Sequence, residues 1–117
     1  MLNLKKLDLS ANKLNRLPKS LSKLKQLEYL DLHSNQFEHV PSFVEQLHKI
    51  NYLDVSVNQL KAFPSNIYHL QGLEILKLDK NNISALPKKI RLLRQLKELH
   101  LFESGLKTIP ADLGELS

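Results

Sequence analysis

The chain has 117 residues, a formal net charge of +5, no cysteine and no tryptophan. That length suits one domain, and 42% hydrophobic with 25% charged residues is the balance of a soluble globular chain. Without cysteine there is no disulfide framework, thiolate metal site or thiol nucleophile. Leucine stands out at 27 of 117 residues, yet no run approaches the ~18 apolar residues of a helical membrane span. The opening Met1-Leu2-Asn3-Leu4-Lys5-Lys6 has no basic segment leading into an apolar stretch, so no signal peptide is expected. The lack of cysteine fits a reducing cytoplasm; a bacterial surface or export fate is compatible if an address has been removed.

In chain order, each unit predicts a short strand, a polar bend and a proline-led turn. Leu4, Leu7 and Leu9 open the first unit, Asn12 follows, and Pro18 begins the turn. The same order recurs every 23 residues, with prolines at 18, 41, 64, 87 and 110. Asparagine keeps the step at Asn12, Asn35, Asn58 and Asn81, and Ser104 replaces it in the fifth unit. The repeats are therefore read as 4–26, 27–49, 50–72, 73–95 and 96–117, one domain without internal linkers.

The alternation in Leu7-Asp8-Leu9 has the period of two of a strand, with leucines inward and their neighbours outward. After each proline the apolar spacing is three, which suits a short 3₁₀ turn better than a long amphipathic helix. Proline opens such a turn without losing a hydrogen bond. No unit of this size can bury its own leucines, so neighbouring units must stack and pair their strands in parallel. The asparagines fall just after the strands, where an amide can both donate to and accept from loop backbone, and stacked they form a ladder. The shorter Ser104 predicts a looser fifth bend.

The unit L-x-x-L-x-L-x-x-N-x-L-x-x-L-P-x-x-L resembles the leucine-rich repeat proteins over essentially the whole chain. Its 23-residue spacing resembles the Ras-suppressor-like class and bacterial repeats, including spirochaete-type ones. The resemblance implies an α/β right-handed solenoid arc with five parallel strands on the concave face and short 3₁₀ or irregular turns on the convex face. It also implies protein binding through the concave face rather than catalysis by the repeats.

Three columns of strand residues should face that concave surface: Lys6, Tyr29, Tyr52, Ile75, Glu98; Asp8, Asp31, Asp54, Lys77, His100; and Ser10, His33, Ser56, Asp79, Phe102. Ala11, Ser34, Val57, Lys80 and Glu103 lie just beyond. The face combines an acidic ladder with an aromatic-aliphatic strip, and tyrosine supplies large contact area at low rotamer entropy. The expected protein-binding residues are Tyr29, Asp31, His33, Tyr52, Asp54, Ile75, Lys77 and Phe102. Three aspartates in adjacent rows repel one another, and folding gives no strict reason for them. The turns after the prolines hold eight Lys or Arg against three Asp or Glu, the whole of the net charge. Lys88, Lys89, Arg91 and Arg94, then Lys19, Lys23 and Lys25, should line the outer wall, away from the tyrosines. A nucleic-acid groove needs basic and stacking residues together, so nucleic acid is not an expected partner; this wall reads as a solubilising surface.

Catalytic and metal motifs are missing from the sequence. Of five histidines only His33 and His100 share the concave face, roughly 14 Å apart at strand spacing, too far for shared coordination. Asp31 and Asp54 could form a carboxylate pair or hold Ca²⁺, but an open arc gives neither enclosure nor six to eight oxygen ligands. Phosphate-cradling glycine motifs do not occur. No enzyme, cofactor or metal is therefore expected. Neither end carries a polar capping unit, and the chain stops after Leu113 and Leu116 in a convex turn. The expectation is a piece of a longer array or a trimmed chain; the alternative is a structural segment that self-associates through uncapped ends.

Overall fold

Three-residue strands are all that each L-x-L step can supply, and the computed structural model, describing residues 3–105, contains five of them. They are β1 (Lys6–Asp8), β2 (Tyr29–Asp31), β3 (Tyr52–Asp54), β4 (Ile75–Lys77) and β5 (Glu98–His100). They form one parallel sheet in sequence order, each in register with the equivalent residues 23 positions on. Leu7, Leu30, Leu53, Leu76 and Leu99 thus stack in one column. Leu30, Leu53 and Leu76 are fully buried, whereas Leu7 and Leu99, in the outermost described rows, are only partly so. A repeat shields its leucines with neighbours on both sides, not by itself.

Opposite the sheet, 3₁₀ turns span Lys19–Lys23, Ser42–Gln46, Ser65–Ile67 and Lys88–Leu92. Each follows a proline with extended backbone, whose carbonyl in three of the four accepts the first turn bond, as in Leu21 N–H to Pro18 O at 3.2 Å. The period-three leucines point inward from these turns: Leu47, Leu70 and Leu93 join Ile50, Leu73 and Leu96 in the core. The turn expected after Pro110, with Leu113 and Leu116, lies outside the described residues. No helix among the described residues is long and apolar enough to cross a membrane.

One feature of every row was not legible beforehand. Ala11, Ser34, Val57, Lys80 and Glu103 all adopt left-handed backbone, with φ between 50° and 60°. These residues lie three positions beyond the end of each strand and swing the chain into the bend that follows. These five non-glycine residues hold this strained conformation because hydrogen bonds of the bend, through asparagine side chains or, at Ser104, main chain, fix it; Lys13 shares it at φ 56°.

Candidate functional site

The asparagine column explains how the bends hold. Asn58 Nδ2 donates to the carbonyls of Leu32, Val55 and Ser56 at 3.0–3.1 Å, while its Oδ1 accepts the Phe37 amide at 3.0 Å. Asn35 and Asn81 repeat the scheme, donating to Leu9 and Val55 of the preceding rows. Asn12 donates only within its own row, to Leu9 and Ser10. Ser104 is 1% exposed, and its hydroxyl has no partner. The fifth bend is nevertheless tied to the fourth row, contrary to the looser bend expected, because the Ser104 carbonyl accepts the Ile83 amide at 2.6 Å. Main chain there takes the acceptor's part that an asparagine side chain plays elsewhere.

On the sheet face the parallel register sets like residues side by side. Tyr29 pairs with Tyr52 and Tyr52 with Ile75; Asp31 pairs with Asp54 and Asp54 with Lys77. The two tyrosine rings stack with centroids 4.2 Å apart and planes 6° from parallel. Lys6 Nζ lies 5.5 Å from the Tyr29 ring centroid, and Lys77 Nζ lies 5.3 Å from that of Tyr52. Both tyrosines are half-buried. Burial, then the Tyr52 phenol and the charges of Asp31 and Asp8, push the Tyr29 hydroxyl up to about 12; burial also raises Tyr52.

Two aspartates of the acidic ladder are withdrawn from solvent. Asp31 and Asp54 are buried, at 5% and 8% exposure. Asp31 Oδ1 accepts the His33 amide at 3.0 Å and Asp54 Oδ1 the Ser56 amide at 2.9 Å; Asp8 does the same for Ser10. Local amide bonding thus supplies the folding role that column repulsion seemed to deny them. His33 Nδ1 sits 2.6 Å from Asp31 Oδ1 and 3.9 Å from Asp54 Oδ2. The bond to Asp31 holds the imidazole above its ordinary range, despite burial acting the other way.

The structure thus brings Tyr29, Tyr52, Ile75, Asp31, Asp54, His33 and Lys77 onto one continuous patch. Phe102 stands apart, two residues beyond β5, at 66% exposure. Its amide donates to Asp79 Oδ1 at 2.6 Å. His100 pairs separately with Glu98 at 3.0 Å. The sequence reading looked for histidine pairs and so missed the grouping of His33 with two carboxylates; an Asp-x-His strand beside an Asp strand in register was the available signal. Lys88, Lys89, Arg91 and Arg94 are exposed at and beside the last described 3₁₀ turn, away from the sheet. A separate cleft of about 700 Å³, lined in part by Arg16, Lys19, His39 and Asn66, includes none of the sheet-face residues.

Comparison with known proteins bears on what such a face does. The family described as leucine-rich repeat matches residues 1–37. Against curated protein sequences the chain finds no match. Among solved structures it resembles internalin C2 of Listeria monocytogenes at 28% identity and TM-score 0.85, over 99% of this chain and 49% of that one. It also resembles an internalin, inlF, of the same organism at 29% and 0.85, covering 99% and 33%. A leucine-rich repeat protein of Leptospira interrogans follows at 28% and 0.79, covering 98% and 35%. The chain spans about half or less of the length of these structures. Repeat motif, stacked parallel rows and these likenesses together show a leucine-rich repeat solenoid similar to those of bacterial leucine-rich repeat proteins, a fold commonly used as a protein-interaction module.

Proposed function

We propose that the five repeats act as one protein-binding domain, and that the partner lies across the concave sheet over Tyr29, Tyr52 and Ile75. The observation that carries this reading is the tyrosine stack. Two parallel, half-exposed rings with lysines over their faces give a rigid, amphipathic platform that loses little entropy on binding. The core beneath is complete without them, since Leu30 and Leu53, their neighbours in the strands, are fully buried. Asp31, Asp54, His33 and Lys77 surround the platform with polar groups that set orientation. The repeats carry no catalytic role in this reading. Amide shift mapping by NMR with a bound partner tests it: the largest changes are expected in β2, β3 and β4. Changes confined to the Lys88–Leu92 turn would move the binding face to the convex side.

A further inference from the structure

We propose that Asp31, His33 and Asp54 form a site for one divalent transition-metal ion of the zinc class on the concave face. Their ligand atoms all lie within 4.8 Å of one another. The ligand atoms of a tetrahedral zinc site are about 3.3 Å apart, from bond lengths of about 2.0–2.1 Å. His33 Nδ1 lies on both sides of that value, 2.6 Å from Asp31 Oδ1 and 3.9 Å from Asp54 Oδ2. A small rotation of one half-exposed imidazole therefore admits an ion between the three groups.

The donor set selects the ion. One imidazole nitrogen and two carboxylates suit zinc and its borderline neighbours, whereas calcium and magnesium seek all-oxygen shells of six or more ligands. This is a mixed nitrogen and oxygen set, not a bare acidic patch.

Charge supplies the independent argument. Asp31 and Asp54 are adjacent, in register and buried, their side chains 8% and 11% exposed, with Asp8 in the next row. The lysines at hand are directed elsewhere: Lys6 Nζ lies over the Tyr29 ring and Lys77 Nζ over the Tyr52 ring. Among the described residues, the His33 ring nitrogen faces both carboxylates, 2.6 Å from Asp31 Oδ1 and 3.9 Å from Asp54 Oδ2. A dication held between the three groups would offset the two adjacent carboxylate charges. The amide bonds to Asp31 Oδ1 and Asp54 Oδ1 hold the carboxylates in place for it. The ion's remaining positions open onto the sheet surface, and its binding does not depend on whether that surface also takes a protein.

The test uses the chain freed of metal with a chelator, then titrated with zinc chloride by calorimetry, with calcium and magnesium chloride as separate arms. One zinc per chain, a raised melting temperature and a displaced His33 ring signal in NMR are expected. His33→Ala and Asp54→Asn should each weaken zinc binding roughly tenfold or more, while His100→Ala, which removes the other concave-face histidine, should leave it unchanged. His33 is half-exposed, so its variant stays folded and informative even if Asp54→Asn does not. Absence of zinc binding at millimolar ion would overturn the assignment. So would binding that survives His33→Ala, or calcium binding of equal strength, which would reduce the cluster to a carboxylate pair.

Discussion

Replacing Asn58 by alanine probes how the bends are held, and the cost can be worked bond by bond. Four hydrogen bonds disappear, but their partners are not equally stranded. The Leu32 carbonyl keeps Asn35 Nδ2, the Val55 carbonyl keeps Asn81 Nδ2, and the Ser56 carbonyl keeps the Ser34 amide. The Phe37 amide alone loses its acceptor, in a residue only 1% exposed. A buried orphan donor costs about 1–3 kcal/mol, and each secondary bond lost adds a few tenths to one. The sum is about 2–6 kcal/mol, a large part of the stability of a domain this size. Asn12→Ala is the internal control. Asn12 is exposed, and water can reach the carbonyls it leaves, so its loss should cost below about 1 kcal/mol. Urea unfolding followed by circular dichroism measures both. Equal costs for the two variants would refute the claim that cross-row amide bonding holds the bends.

Other changes follow from the same structure. Leu53→Ala empties a fully buried position between two flanking rows and should cost about 2–5 kcal/mol in the same urea assay; a melt matching wild type would contradict the stacked core. Val57 is β-branched at φ 53° and 42% exposed, so Val57→Gly should raise stability by about 0.5–1 kcal/mol, strain relief exceeding the added chain entropy; a loss would mean the valine has a packing role. Ser104→Asn should stabilise slightly by extending the ladder, and Ser104→Ala should be nearly neutral because the hydroxyl has no partner; thermal melts decide both. Tyr29 ionises near 10 when unfolded and at about 12 when folded. Its contribution is intact below pH 10 and is lost as pH rises through 12, because the unfolded chain releases the proton first. Melting temperatures should therefore fall more steeply over that window in wild type than in Tyr29→Phe.

Much of this was readable from period alone. Equal spacing of Leu7, Leu30, Leu53, Leu76 and Leu99 dictates parallel strands in register, since only stacking buries them. The prolines mark the 3₁₀ turns, because fixed φ and a missing donor suit a turn's first position. The tyrosine stack follows from Tyr29 and Tyr52 sharing a column. What escaped were features decided by side-chain reach. Burial of Asp31 and Asp54 depends on their bonding the amide two residues on, which strand alternation does not encode. The left-handed residues carry no signature, as Ala, Ser, Val, Lys and Glu do not announce positive φ. The grouping of His33 with both aspartates required knowing which way an imidazole at a strand end turns.

The claim that the concave tyrosine platform is the binding face meets its most direct test in one affinity comparison. A protein partner isolated on the immobilised chain is titrated by calorimetry against wild type, a Tyr29→Ala and Tyr52→Ala double variant, and a Lys88→Gln and Arg91→Gln double variant. The tyrosine change should weaken binding by about 2–4 kcal/mol with little change in melting temperature. The basic-wall change should have little effect. Loss of binding on changing the wall, with full affinity after removal of both tyrosines, would contradict the account and place the partner on the convex surface.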